Sequence, residues 1–284
     1  MKLVSFLHQG RQSFGCVTRS GIVDFERRCP GAWRDLKALI ASGRAAWPHV
    51  PDDADADYAL DAVVFRPPLP NPDKIICVAV NYFAGADGDS AGPDHPLLFL
   101  RLAASQVGHG GPLVIPLESD RLDYEGELAV VIGEGGRRIP TSQAFRHVAG
   151  YSCYNDGSVR DWQKHSSQFT AGKNFQSTGA FGPWIVTADE IGDVETLAIE
   201  TRVNGVVQQN SNTARMIFSI PRLIAYVSTF TELVPGDVIV SGTPGGFGAT
   251  RTPPEFLQPG DVVEVEIANV GTLRNTVTRE VRIP

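Results

Sequence analysis

The chain has 284 residues, of which 42% are hydrophobic and 20% charged, with a formal net charge of −7. That length supports one substantial core, or a large and a small domain, and the ordinary composition argues against extensive disorder. The acidic balance, without a dense basic run, speaks against a nucleic-acid partner, and no apolar stretch reaches the ~18 residues of a membrane span.

In chain order, KLVSFLHQGRQSFGCVTRSGIVDF reads as short strands joined by QG and SG turns. GAWRDLKALIASG carries Trp33, Leu36, Leu39 and Ile40 at helical spacing and stops at Gly43. An acidic connector, PDDADADYALDA, and a proline-rich stretch, VVFRPPLPNPD, follow, so the boundary is expected there: a small α+β unit over 1–66 and a main domain over 67–284.

From KIICVAV onward the signals are mostly β: ELAVVIG, GPWIVTADEI, LAIETRVNGVVQQ, DVIVSG and DVVEVEIANVGTLRN are β-branched runs bounded by turn residues. VNGV predicts a hairpin turn, and PGD at 235–237 and 259–261 marks two strand entries. SIPRLIAYVSTF predicts a helix with Pro221 in its first turn. The expected class is β-rich α+β.

The opening MKLVSFLHQGRQSFG lacks a long apolar core and a processing site, which points to a cytoplasmic protein. Cys16, Cys29, Cys77 and Cys153 form no CxxC pair, so reduced, mostly buried thiols are expected. His8, His49, His95, His109, His147 and His165 never fall in an HxxxH or HxH pattern, and no GxSxG elbow is present. SGTPGGFG at 241–248 lacks the lysine and helix of a phosphate loop. It reads as a tight turn, or as a backbone-amide cradle for a substrate carboxylate.

The stretch DYEGELAVVIG (123–133) raises the chemical question. In a strand, the period of two puts Asp123, Glu125 and Glu127 on one face, leading straight into an apolar run. Either they sit at the solvated mouth of a strand or they surround a cation, because clustered carboxylates are costly to desolvate alone. In GYSCYNDGSVRDWQ, NDGS alone reads as a turn and RD as a surface ion pair, yet Asp156 with Glu125 and Glu127 would complete three hard oxygen ligands.

The segments PDKIICVAVNY, PLLFLR, QVGHGGPLVIP, DYEGELAVVIG, GYSCYNDGSVRDWQ, GKNFQSTGAFGPWIVTADEI, VNGVVQQNSNT, PGDVIVSGTPGGFG and GDVVEVEIANVGTLRN, in this order, resemble the fumarylacetoacetate hydrolase superfamily over about residues 70–280. The resemblance implies a mixed β-roll main domain behind a small α+β N-terminal domain, and a homodimer. It implies that Glu125, Glu127 and Asp156 hold Mg²⁺, with Mn²⁺ or Ca²⁺ as alternatives. Lys173 and Arg101 would be catalytic, and Thr243, Tyr82 and Gly242 would bind substrate. The implied substrate is a small anionic keto acid or 1,3-dicarbonyl compound, and the implied chemistry is hydrolytic or lyase cleavage of the C–C bond beside its carbonyl through a stabilised enolate.

Two positions depart from the hydrolytic pattern NYxxHxxE. In NYFAGADG, Gly85 and Gly88 stand where the water-activating histidine and glutamate are expected. Glycine cannot act as a base, which favours decarboxylation or keto–enol isomerisation, or leaves a metal-retaining binding protein. Arg101 replaces a lysine and orients a carboxylate better than it transfers a proton. Asp87, Asp89 and His95 are the nearby substitute bases, and the glycine-rich segment is expected to be mobile when unliganded.

Overall fold

The computed structural model describes residues 1–83 and 92–282; Gly85, Asp87, Gly88 and Asp89, and the mobility expected of their segment, lie outside the described residues. Among the described residues, two large sheets and a two-stranded ladder, Leu122–Asp123 with Ser158–Val159, build the molecule. The larger, of 11 strands, runs in the order Gly21–Asp24, Arg11–Thr18, Lys2–His8, Gly179–Thr187, Val148–Asn155, Gly126–Ile132, Val238–Val240, Ile75–Ala79, Leu97–Arg101, with Val64–Phe65 and Gln106–Val107 attached at its side. The smaller has five strands, from Val206–Asn212 through Ala198–Val203, Val262–Ile267 and Gly271–Arg279 to Leu113–Ile115. This is the expected β-rich α+β class.

Local sequence explains the turns. Gln9 and Gly10 (φ 51° and 80°) close the first hairpin, and Asn204 and Gly205 (φ 53° and 77°) close the one expected at VNGV, because paired positive φ values match the twist of two adjoining strands. The expected first helix is shorter than its periodicity suggested. Asp35 accepts from the Ala38 N–H at 2.7 Å and starts the helix at Leu36, so Trp33 lies before the cap and packs on the core half-buried, while Leu36, Leu39 and Ile40 of the helix are buried in it. The helix Ile220–Phe230 forms as expected, with Pro221 in its first turn and Leu223, Ile224 and Val227 buried.

The main core explains the apolar run of 128–132. Leu128, Val130 and Ile132 pack with Ile199, Val265 and Ile267 of the small sheet and with the helix Ile220–Phe230. Ala129 and Val131, on the opposite face, pack with Leu3, Phe25, Leu36 and Leu39. A strand covered on both faces reads as a continuous apolar run, without alternation. Residues on both sides of the expected boundary near 66 share one sheet, because Lys2 and Leu3 pair with Val186 and Ile185. No helix among the described residues is long and apolar enough to cross a membrane. All four cysteines are free, and Cys16, Cys77 and Cys153 are buried.

Candidate metal centre

Strand direction brings distant segments to one edge of the large sheet. Val238–Val240 runs parallel to Ile75–Ala79 and antiparallel to Gly126–Ile132, which is itself antiparallel to Val148–Asn155. The residues leaving the first, second and fourth of these strands therefore meet those entering the third: Asn81 and Tyr82, Ser241–Thr243, Asp156, and Glu125 with Glu127.

Glu125, Glu127 and Asp156 each offer an oxygen within 4.8 Å of the others, and all three are buried. The backbone sets this approach: Asn155 Oδ1 accepts from the Glu125 N–H (2.9 Å), and the Glu125 carbonyl from the Asp156 N–H (2.8 Å). Lys173 Nζ reaches Glu125 Oε2 at 2.6 Å and Asp156 Oδ2 at 2.5 Å. Arg101 Nη1 lies 2.6 Å from Asp156 Oδ1, and Arg160 Nη2 lies 2.7 Å from Glu125 Oε1, the latter without hydrogen-bond alignment.

Glu127 differs from its neighbours. Its Oε2 accepts the Gly242 N–H at 2.6 Å, and among the described residues no cationic side chain comes within ion-pair distance of it. Burial first, then the charges of Asp156 and Glu125, push its carboxyl well above the usual range. Burial acts on Asp156 in the same direction, but Lys173 and Arg101 outweigh it and hold that carboxyl below its ordinary value. Burial opposes the charge of Lys173 too, yet Asp156 and Glu125 outweigh it and raise the ammonium.

The acid cluster is therefore not the one the period of two suggests. Asp123 stands apart from the triad: it ends its own short ladder with Ser158, and its carboxylate accepts from the Tyr124, Gly248 and Ala249 N–H groups and from Arg160 Nε, each at 2.8–2.9 Å. Arg160 does not form the surface pair read from RD. It is buried, donates to Asp123 and Gln163, and stacks over the Phe247 ring, while Asp161 accepts from Ser119. The strand break at Tyr124 hid both relations.

A cavity of about 300 Å³ opens beside the triad, lined by Tyr82, Phe99, Arg160, Lys173, Thr243 and Phe247 among others. A larger cleft of about 770 Å³ lies on the N-terminal strands beside Arg11, Trp33 and Arg66, away from every carboxylate of the triad. The smaller one borders the triad and Lys173. Tyr82 is 8% exposed, and its hydroxyl is buried without a hydrogen-bond partner among the described residues. Burial, then Glu127, raises its phenol, so it stays protonated and able to donate.

The remaining expected residues fall at different depths. Thr243 lines the cavity, but its hydroxyl donates to the Gly126 carbonyl (2.9 Å) and accepts from Gln209 (2.8 Å). Gly242, at φ 96°, spends its N–H on Glu127, so this turn cradles a carboxylate of the chain itself. Arg101 sits behind Asp156, fully engaged with Asp156, Gly157 O, Thr178 and Ser105, and is absent from the cavity wall. Its placement is that of a residue orienting Asp156. His95 stacks on Tyr226 outside the cavity.

Sequence reasoning gave no role to Asn81. It is fully buried and laces three segments: Oδ1 accepts from the Phe218 N–H (2.7 Å), and Nδ2 donates to Ser241 O (2.7 Å) and Phe218 O (3.1 Å). Beside it Val80 holds φ 54°, a left-handed conformation costly for a β-branched side chain, at the cavity wall.

The donor set fits a hard divalent cation: three carboxylates, one without a counter-charge, and a buried phenol donor left over at the same cavity. The four buried acids Asp123, Glu125, Glu127 and Asp156 face three buried cations, Arg101, Arg160 and Lys173. Glu127 is the acid left without a cationic partner among the described residues.

Comparison with known proteins gives the chain's relatives. The chain is 45% identical over 287 aligned positions to the mitochondrial oxaloacetate tautomerase fahd2 of Xenopus laevis, covering 98% of this chain and 90% of that protein. It is 41% identical to the oxaloacetate tautomerase YisK of Bacillus subtilis, over 82% and 80% of the two chains. Among solved structures, fumarylacetoacetate hydrolase from Exiguobacterium antarcticum superposes with a TM-score of 0.87 at 36% identity, covering 99% of this chain and all of that one. Maleylpyruvate hydrolase from Sphingobium sp. SYK-6, in complex with manganese(II) and pyruvate, superposes at 0.78 with 27% identity, over 99% and 100%. The fumarylacetoacetate (FAA) hydrolase C-terminal profile matches residues 74–278, and the chain is a member of the fumarylacetoacetate hydrolase family.

Proposed function

We propose that the protein is a divalent-metal-dependent keto–enol tautomerase of small keto diacids of the oxaloacetate class. The observation that carries the reading is the buried triad with Lys173 at the wall of a cavity of about 300 Å³, small enough to suit a four-carbon diacid. Two oxaloacetate tautomerases at 41% and 45% identity support it, as do Gly85 and Gly88 at the positions of a water-activating pair. Tautomerisation needs a proton moved between oxygen and carbon and no activated water.

Glu125, Glu127 and Asp156 would hold the ion, Mg²⁺ or Mn²⁺, and the manganese in the maleylpyruvate hydrolase structure supports a divalent metal. When bound, the cation supplies Lewis-acid stabilisation of negative charge on the keto acid's oxygens. Arg160 places a fixed positive charge on the wall for a substrate carboxylate, with Gln163 bonded to it at 3.0 Å. Lys173 Nζ, the ammonium beside the triad, gives a proton to the enol's carbon and, then neutral, takes the enol hydroxyl proton; the reverse order runs from the keto form, so one C–H bond is exchanged for one O–H bond and no proton is gained or lost overall. Tyr82 Oη donates to a substrate oxygen. Phe83, Phe99, Phe169 and Phe247 shield the site from water, and Thr243 completes the wall.

The homodimer is part of the same proposal. Leu97, Leu100 and Leu102, on and just beyond the sheet's last strand, are each exposed, as is Val80, and a second subunit pairing along this edge would cover apolar surface there. The deciding experiment follows the ultraviolet absorbance of enol oxaloacetate with Mg²⁺ or Mn²⁺, for the wild type and for Glu127→Ala. Metal-dependent decay that Glu127→Ala abolishes is expected. Acylpyruvate cleavage faster than tautomerisation would assign the protein to the hydrolases instead.

A further inference from the structure

The centre contains its own cation. Every oxygen of Glu125 and Asp156 already faces a positive group: Glu125 Oε1 faces Arg160 and Oε2 faces Lys173, while Asp156 Oδ1 faces Arg101 and Oδ2 faces Lys173. The two arginines are pinned from outside the triad. Arg101 also donates to Gly157 O, Thr178 and Ser105, and Arg160 to Asp123 and Gln163. Among the described residues Lys173 has no such anchor: its three donors go to Glu125 Oε2, Asp156 Oδ2 and Asp156 O, all on residues of the triad. The Phe99 ring, 4.9 Å from Nζ, offers the ammonium a second cation-binding surface next to the first.

We infer that Lys173 is a resident counter-cation of the metal centre: it keeps the triad assembled without metal and, by occupying the oxygens of Glu125 and Asp156, lowers the affinity of the divalent ion. The inference rests on the metal reading above and adds a role for Lys173 distinct from proton transfer. The physical reason is direct. An ion reaching the triad must share Glu125 Oε2 and Asp156 Oδ2 with a positive charge or push it aside, and like charges a few ångströms apart repel strongly in a buried site. Once that charge is removed, the carboxylates repel each other in the empty site but attract a divalent ion more strongly.

Calorimetric titration with Mn²⁺ tests this on the wild type, Lys173→Met, Lys173→Gln and Lys173→Arg, with the melting temperature of each measured in chelator. Met and Gln remove the charge in two ways, with and without a hydrogen-bonding group, so that one misfolded variant does not decide the outcome. Both are expected to bind Mn²⁺ about 10- to 100-fold more tightly than the wild type, from the charge repulsion relieved, and to melt lower when metal-free. Lys173→Arg, which keeps the charge, is expected to show no such tightening. A wild type that binds Mn²⁺ while neither neutral variant binds it more tightly overturns this inference and leaves the metal reading standing. A wild type that binds no Mn²⁺ overturns the metal reading itself, and this inference with it.

Discussion

Replacing Asn81 by alanine separates the support of the centre from its ligands. The substitution deletes three hydrogen bonds at a site with no solvent exposure and strands the Phe218 N–H, the Phe218 carbonyl and the Ser241 carbonyl. Each buried group left unpaired costs ~1–3 kcal/mol, and a water entering the vacated amide volume would restore part of it, so the expected loss is about 3–4 kcal/mol. Urea unfolding followed by circular dichroism reads this as a lower midpoint with an unchanged slope. The effect should also reach the metal, because Ser241 precedes the Gly242 N–H that holds Glu127, and a roughly tenfold weaker Mn²⁺ affinity is expected, equivalent to ~1.4 kcal/mol. A stability loss below about 1 kcal/mol would refute the count of stranded groups. A large loss with unchanged affinity would show that Asn81 does not act on Glu127.

Two further outcomes follow from charge. His109 Nδ1 accepts from the Arg274 N–H, and burial, then Arg274, holds its pKa below 6.5, so the unfolded chain takes up a proton that the folded one refuses. Stability should therefore fall as pH drops below about 6.5, by less than the ~1.4 kcal/mol per pH unit of a fully excluded proton, and His109→Gln should flatten that fall; parallel profiles for the two proteins would contradict the assignment. Chelation of all metal should leave a folded protein with native circular dichroism and cooperative melting, because Arg101, Arg160 and Lys173 offset the buried acids. Mn²⁺ at a hundredfold excess over its Kd should then add about 2.7 kcal/mol, measured by urea unfolding, and loss of cooperativity on chelation would count against that offset.

The parts legible in the sequence are those set by near neighbours. The Asn204–Gly205 turn, the glycines of both PGD entries and the apolar stripe of the helix Ile220–Phe230 are local consequences of residue type. Glu125 and Glu127 were readable for the same reason, since two positions along an extended chain return to one side. Asp123 was misleading because extended pairing lapses at Tyr124 and Glu125, between the short strand Leu122–Asp123 and the long one starting at Gly126. Asp156, about thirty positions on, joined the acids as a third hard oxygen ligand and through the family resemblance, with no local pattern pointing to it. Asn81 was invisible, its partners lying 137 and 160 positions away. Arg160 was misread for a related reason: Asp161 is adjacent in sequence, but the backbone turns its carboxylate toward Ser119.

The parallel pairing of Ile75–Ala79 with Val238–Val240 has a kinetic consequence. Loop-closure entropy must be overcome before such a non-local contact contributes any stability, which makes it a late event in folding. The Gly242 amide that fixes Glu127 follows it in the chain by 115 residues. During synthesis both glutamates therefore emerge well before the turn that completes their surroundings. On the proposed reading, metal capture is expected to follow closure of the sheet, so that the ion stabilises a fold whose strands have already paired.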